Sequence, residues 1–240
     1  MNIILFPALE AENVLSMTDE RALHIKKVLR LKEGDSFQAG IINQGKGKAT
    51  ITRINEQEIA FTFAMDDKTG TKLYPVTLLV AQVRPICMRR ILREAVSLGV
   101  RRIMLTQTET GEKSYAQANL YTSGEYQSIL VDGAMQSGEC AVSEVVFASS
   151  VREALTMLKS DSTKIVLDNV RPGVPLSTLS LSSQQDVVLA IGGERGFTEA
   201  ERDRFQEAGF LFASLGSRIL RTETACSAGL AVLLGRMGLL

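Results

Sequence analysis

Over the first 65 residues apolar and polar positions alternate in short blocks. FQAGII (37–42), KATITRI (48–54) and EIAFTFA (58–64) are β-branched or aromatic and are separated by Gly, Asn and Glu-Gln turns. Strands at that spacing predict a small β-barrel. One helix interrupts them: Ala22, Leu23, Ile25, Val28, Leu29 and Leu31 recur near helical spacing between Thr18 and the Gly34-Asp35 turn. DDKTGTK (66–72) is polar, charged and broken by glycine, and reads as a linker. Beyond it the period changes. YPVTLLVAQV (74–83), RIMLT (102–106), EVVFA (144–148), KIVLD (164–168), DVVLAIG (186–192) and FLFASLG (210–216) alternate with helical stretches, which predicts an α/β domain. Ile91, Leu92, Ala95, Val96 and Leu98 mark a helix stopped by Gly99. Ser150 with Glu153, and Thr198 with Glu201, have the spacing of capping boxes. A last helix after Thr224 runs AGLAVLLGRMG, apolar nearly all round, and is expected to bury itself in the sheet or in a subunit interface. The expected domains are 1–70 and 73–240.

At 240 residues, with 45% hydrophobic and 22% charged, the chain can build a real core, and disordered or fibrous classes are excluded. Lys plus Arg and Asp plus Glu both total 27, so any nucleic-acid surface has to be local. Local clusters exist. Residues 21–32 hold Arg21, Lys26, Lys27, Arg30 and Lys32 without an acid, and Lys46, Lys48 and Arg53 follow. Arg84, Arg89, Arg90, Arg93, Arg101 and Arg102 face only Glu94 within 84–102. Such clusters suit a phosphate backbone, although a solvated helix face looks the same in sequence. Cys87, Cys140 and Cys226 are odd in number and form no C-x-x-C pair, which argues against a disulfide framework or thiolate metal site and for a reducing cytoplasm. No leader or membrane span is expected. His24 is the only histidine, so a multi-histidine metal site or a Ser-His-Asp triad lacks parts elsewhere. Flanked by Leu23 and Ile25, it reads equally as a structural imidazole and as a base or RNA contact.

Three stretches invite a nucleotide reading. Gly40, Gly45 and Lys46 resemble a phosphate loop, but Gly47 replaces the magnesium-binding hydroxyl and a strand follows where a helix is required, so a β-turn is expected. No G-x-G-x-x-G follows a predicted strand. IGGERGF (191–197) leaves an apolar strand and enters the helix opened at Thr198, the position where open sheets bind ligands, and a tight turn is its plain alternative. LGSRILRTETACSAGL (215–230) also joins strand to helix. It sets Arg218, Arg221 and Glu223 among small polar residues, with little apolar surface for so central a place.

Together these residues resemble a known family. IGGERGF followed by LGSRILRTETA is similar to the C-terminal signature of the ribosomal-RNA uridine-N3 methyltransferases of the SPOUT class, the RsmE family. HIKKVLRLKEGD (24–35), QVRPICMRRILREAVSLGVRRIMLTQTETGEKS (82–114) and QSG (136–138) resemble its earlier motifs, in order over nearly the whole chain. The chain departs from the family's usual pattern at Gly193, Arg195, Glu94 and Glu139, where Pro, Gly, Lys and Arg are usual.

The resemblance implies an N-terminal PUA-like β-barrel and a C-terminal SPOUT α/β domain with a deep trefoil knot, working as a homodimer on ribosomal RNA or the small subunit. It implies S-adenosylmethionine held by Leu167, Asp168 and Asn169, by Gly192, Gly193, Glu194, Gly196 and Phe197, and by Leu215, Gly216, Arg218, Ile219 and Leu220. Arg221 is then expected to orient the uridine or stabilise its negative charge, with Glu223 or Glu194 accepting its proton. His24, Lys26, Lys27, Arg30, Arg89 and Arg90 are the expected RNA contacts. No metal, membrane or DNA is expected. Two alternatives stand beside this reading: a non-catalytic RNA-binding assembly protein of the same fold, and a methyltransferase on another RNA. Binding of S-adenosylmethionine and methyl transfer to ribosomal RNA separate them.

Overall fold

Strands β1 (Ile4–Phe6), β2 (Glu12–Ser16), β3 (Ser36–Ile41), β4 (Gly45–Ile54) and β5 (Glu58–Met65) form one sheet in the order β1-β3-β4-β5-β2. The computed structural model describes residues 2–66, 72–171 and 173–240. β1 runs parallel to β3 and the other pairs are antiparallel. The expected barrel is therefore an open mixed sheet with β1 and β2 at its edges. Phe6, Phe37 and Phe61 meet at ring distances of 5.6 and 5.5 Å, and Ala22 and Ile25 pack into the same core.

Those two residues come from the predicted helix, which departs from expectation. It starts as α1 (Glu20–Leu23), where the Asp19 carboxylate accepts the Arg21 N–H at 2.8 Å, then widens into a π-helical stretch over His24–Leu29. Arg30 ends it in the left-handed region at φ 55°. In a regular helix Ile25, Val28 and Leu29 would share a face. The extra residue per turn keeps Ile25 in the core and leaves Val28 64% exposed.

The phosphate-loop look-alike is a hairpin. Gly40 pairs with Lys46 across a turn holding Asn43 at φ 59°. A Cβ on Gly47 would meet the Ala64 carbonyl at 2.1 Å, so glycine serves strand approach there. The expected linker lies outside the described residues except at Asp66 and Lys72.

The chain divides into two compact units, Met1–Lys72 with Ala134–Val142, and Leu73–Gly133 with Ser143–Leu240. No pattern in the sequence assigned 134–142, which includes the QSG segment, to the first unit. The Asn2 amide donates to the Gln136 carbonyl at 2.7 Å, and the Lys46 ammonium pairs with Glu139 at 2.6 Å.

The second unit is a parallel sheet of β6 (Tyr74–Ala81), β7 (Val100–Thr106), β8 (Glu144–Ala148), β9 (Thr163–Leu167), β10 (Val174–Pro175), β11 (Val187–Ile191) and β12 (Leu211–Ser214), ordered β10-β12-β9-β11-β6-β7-β8. Each predicted apolar run forms a strand. β10 escaped notice because its two residues are exposed and carry no pattern. The helices are α2 (Pro85–Ser97), α3 (Asn119–Thr122), α4 (Glu125–Ser137), α5 (Val151–Thr156), α6 (Glu199–Glu207) and α7 (Thr222–Arg236).

Gly99 ends α2 at φ +77°. Thr198 and Glu201 form a reciprocal capping box. At α5 the box is half made: Ser150 accepts the Glu153 N–H, but the Glu153 carboxylate accepts from the Ser149 N–H at 2.7 Å, one residue further back. Cys226, Leu230, Leu233 and Leu234 of α7 are buried. A Cβ on Gly229 would stand 2.8 Å from Leu167, so glycine lets this helix settle directly on the sheet. Among the described residues no helix is long and apolar enough to cross a membrane.

Candidate active site

The loops leaving β9, β11 and β12 line one cavity of about 680 Å³. That lies within the ~300–1,000 Å³ typical of small-molecule sites. Leu167, Asp168, Asn169, Gly192, Gly193, Glu194, Gly196, Phe197, Leu215, Gly216, Arg218, Ile219 and Leu220 all line it, although β9 and β12 are far apart in sequence. Parallel pairing of β9 with both β11 and β12 brings these strand ends together.

Each wall has a local cause. Phe197 is buried and packs edge-on against Phe205 at 4.7 Å, which fixes the apolar floor. Gly196, at φ +64°, donates its N–H to the Gly193 carbonyl at 3.0 Å and closes a tight turn. A Cβ on Gly192 would come within 3.0 Å of Gly196 Cα, so this turn needs glycine at 192 for its own closure. At Gly193 the nearest atom would be 3.5 Å away, which is ordinary contact. Gly216 sits at φ +112°. Ile219 is 81% exposed at the rim, an apolar side chain left without cover.

Asp168 lines the cavity, but its carboxylate is committed to protein partners. One oxygen accepts the N–H groups of Val170 and Arg171, both at 2.7 Å, and the other accepts from Arg202 Nε at 2.9 Å. Both side chains of this ion pair are buried. Asp168 therefore shapes its loop. Arg202 also pairs with Glu199 at 2.8 Å and stands beside Gly196, so it links two of the three loops. Sequence reading missed Arg202 because nothing in a polar helix marks one arginine as buried.

Around the cavity stand the charged candidates. Glu194 is exposed and lines it, and its Oε1 accepts the backbone N–H of Arg84 at 3.3 Å. Arg221 is the exposed N-cap residue of α7, between the lining residues Leu220 and Thr222. Glu223 is half-buried two residues further on and lies against Cys87 of α2. Burial first, then the charges of Glu223 and Glu194, push the Cys87 thiol up from its ordinary value.

The expected RNA contacts divide. Lys26, Lys27 and Arg30 are exposed, as is Arg90. Arg89 instead forms a two-pronged pair with Glu125 at 2.7 Å on both prongs. Arg101 pairs with Asp186, and Arg102 with Glu144 at 2.8 Å. The arginine cluster is thus partly neutralised by carboxylates that lie far off in sequence. His24 is half-buried, its Nε2 is enclosed without a hydrogen-bond partner among the described residues, and burial pushes its pKa down from the ordinary histidine value. Glu94, where a lysine is usual in the resembled family, accepts from the Ser227 hydroxyl.

Residues 70–234 match the RNA methyltransferase domain family and residues 17–63 the RNA methyltransferase PUA domain family. Fold and site thus define a two-domain protein of the RNA methyltransferase class. The chain is 40% identical over 243 aligned positions to ribosomal RNA small subunit methyltransferase E of Treponema pallidum, covering 98% of this chain and 91% of that protein. To ribosomal RNA small subunit methyltransferase E 1 of Borreliella burgdorferi it is 28% identical, covering 94% of each. A crystal structure of a ribosomal RNA small subunit methyltransferase E from Neisseria gonorrhoeae, bound to S-adenosyl methionine, superposes with a TM-score of 0.81 at 26% identity, covering 98% of this chain and 97% of that one. The chain belongs to the ribosomal RNA small subunit methyltransferase E family.

Proposed function

We propose that the protein methylates N3 of a uridine in 16S ribosomal RNA, using S-adenosylmethionine bound in the cavity at the ends of β9, β11 and β12. The observation that carries this is the convergence of the three loops on one cavity lined by Glu194, with Arg221 exposed between the lining residues Leu220 and Thr222. The cavity suits the cofactor: Phe197, Ile219 and Leu220 offer apolar surface for a flat ring, and the glycine turn brings backbone polar groups to the wall. When bound, S-adenosylmethionine supplies an electrophilic methyl group on a sulfonium.

The chain's own residues do the rest. Loops held by Asp168 and Arg202 orient the reacting atoms, and positioning carries much of the rate. Arg221, charged at any working pH, faces the uridine and stabilises the negative charge that follows loss of the N3 proton. Glu194 lines the cavity and is better placed than Glu223 to accept that proton. Lys26, Lys27, Arg30 and Arg90 hold the RNA by its phosphates.

Two further features belong to this reading. The chain is threaded into a trefoil knot. In support, only residues 168–173 join β9 to β10, yet β12 lies between them although it comes later in the chain. A Cβ on Gly173 would stand 1.9 Å from the Phe212 carbonyl of β12. The protein also acts as a homodimer through α7. Ala231 and Gly235 are exposed one turn apart there, and the adjoining α2 exposes Ile86.

The test is methyl transfer from S-adenosylmethionine to small ribosomal subunits lacking the modification, followed by nucleoside analysis for N3-methyluridine. Arg221→Ala is expected to lower the single-turnover rate at saturating RNA by at least tenfold, in line with lost charge stabilisation. A wild-type protein that binds the cofactor but transfers no methyl to this RNA would overturn the assignment.

A further inference from the structure

The turn 192–197 is held from outside by a loop that takes no part in lining the cavity. Residues 107–112 follow β7 and reach over to the exit of that turn. The Thr110 hydroxyl donates to the Gly196 carbonyl at 2.9 Å. Glu109 accepts from the Thr198 hydroxyl at 2.7 Å with one oxygen and from Arg204 at 2.6 Å with the other. The Glu109 N–H donates to the buried Glu201 carboxylate at 2.9 Å, whose second oxygen accepts the Thr198 N–H, also at 2.9 Å.

Gly196 is therefore tied on both sides. Its N–H closes the turn onto Gly193, and its carbonyl is fixed by Thr110. A left-handed glycine has wide conformational freedom, so a turn built on one needs such ties to keep a single shape. Chain entropy would otherwise oppose the ordered turn.

We propose that Thr110 and Glu109 are positioning residues that hold the 192–197 turn in its cofactor-binding shape. The inference rests on the reading that this cavity binds S-adenosylmethionine. Neither residue lines the cavity, and saturating cofactor draws the turn, with Glu194 on it, back into its bound shape. Their loss therefore acts on cofactor affinity and leaves the turnover rate at saturation alone.

Thr110→Val keeps the volume and removes the donor. It should weaken binding of S-adenosylmethionine and S-adenosylhomocysteine, measured by calorimetry, by about fivefold, the effect of one hydrogen bond of ordinary strength. KM for the cofactor should rise by the same factor, with kcat and KM for RNA unchanged and the melting temperature of the free protein lowered by no more than about 2–4 °C. Thr110→Ser, which keeps the hydroxyl, should restore the affinity. Glu109→Gln, read in the same way, provides a second probe if the valine variant folds poorly, and it too should raise KM for the cofactor without lowering kcat. Wild-type protein that fails to bind the cofactor would overturn the underlying reading and this inference with it. Normal wild-type binding with unchanged affinity in both Thr110→Val and Glu109→Gln would overturn the latch alone, as would a loss of kcat at unaltered affinity.

Discussion

Arg202 and Asp168 show how much one buried pair decides. Removing a single partner leaves an uncompensated charge in the interior, which typically costs roughly 3–5 kcal/mol. Arg202→Ala is expected to lower stability by about that amount in urea unfolding. The double variant Asp168→Asn with Arg202→Met should cost much less, because Asn still accepts the Val170 and Arg171 N–H groups and no charge is stranded. Equal losses in the two variants would show that the ion pair itself matters little. The glycine turn allows a sharper contrast. Gly192→Val forces a side chain against Gly196 Cα and should abolish binding of S-adenosylhomocysteine, whereas Gly193→Ala meets nothing closer than 3.5 Å and should leave it near normal. Calorimetry on both variants checks this, and loss of binding in Gly193→Ala would mean that the ligand itself occupies that space. The glycines were visible in the sequence, but which of them the turn requires was not, since that depends on an atom four residues away.

The basic helix shows what periodicity can and cannot deliver. Its existence and its buried Ala22 and Ile25 follow from apolar spacing, but the π-helical widening that turns Val28 and Leu29 outward does not. It places Lys26, Lys27 and Arg30 on an exposed surface. Neutralising all three should flatten the log–log salt dependence of RNA binding by roughly 2–3 units if each releases about one counterion. Cofactor affinity should not change. Normal RNA binding by the triple variant would reduce this helix to a solvated face. The arginines of α2 and β7 teach the reverse lesson. Counting charges within 84–102 found one acid, yet Glu125, Asp186 and Glu144 reach Arg89, Arg101 and Arg102 from 36, 85 and 42 residues away.

Across the whole molecule the same ion pairs shape the acid limb of stability. Arg89 holds the Glu125 carboxyl below its ordinary value, Arg204 and Thr198 do the same for Glu109, and Lys159 and Arg101 for Asp186. A carboxyl with a lower pKa in the folded state stabilises fully above its unfolded pKa, and that contribution disappears as pH falls through the folded one. These carboxyls alone should therefore leave the melting temperature level from neutrality to about pH 5 and lower it below the ordinary carboxylate range of about 4. His24, whose pKa burial pushes down, adds a separate loss that begins as pH falls below the ordinary histidine value of about 6.5. Glu125→Gln should make the carboxyl-linked fall shallower. An unchanged acid limb in this variant would show that this half-buried pair contributes nothing measurable, as is common for pairs that solvent still reaches. Light scattering at micromolar concentration tests the proposed homodimer, and a monomer there would remove α7 as an interface.

Apolar spacing and turn residues were enough to place every strand of the parallel sheet except β10, the C-terminal end of α2 and the start of α6, because these rest on interactions within a few residues. The 167–169 loop of the candidate site, by contrast, was legible only through the family resemblance. Long-range packing was needed for everything that depends on who meets whom. Segment 134–142 joins the first unit, the predicted barrel is an open sheet, β12 inserts between β9 and β10, and Arg202 buries itself on Asp168. A linear pattern records which face of an element is apolar. It does not record the partner across the sheet, nor which carboxylate arrives beside which arginine, and in this protein those pairings decide which charges remain available to RNA and which merely hold the chain together.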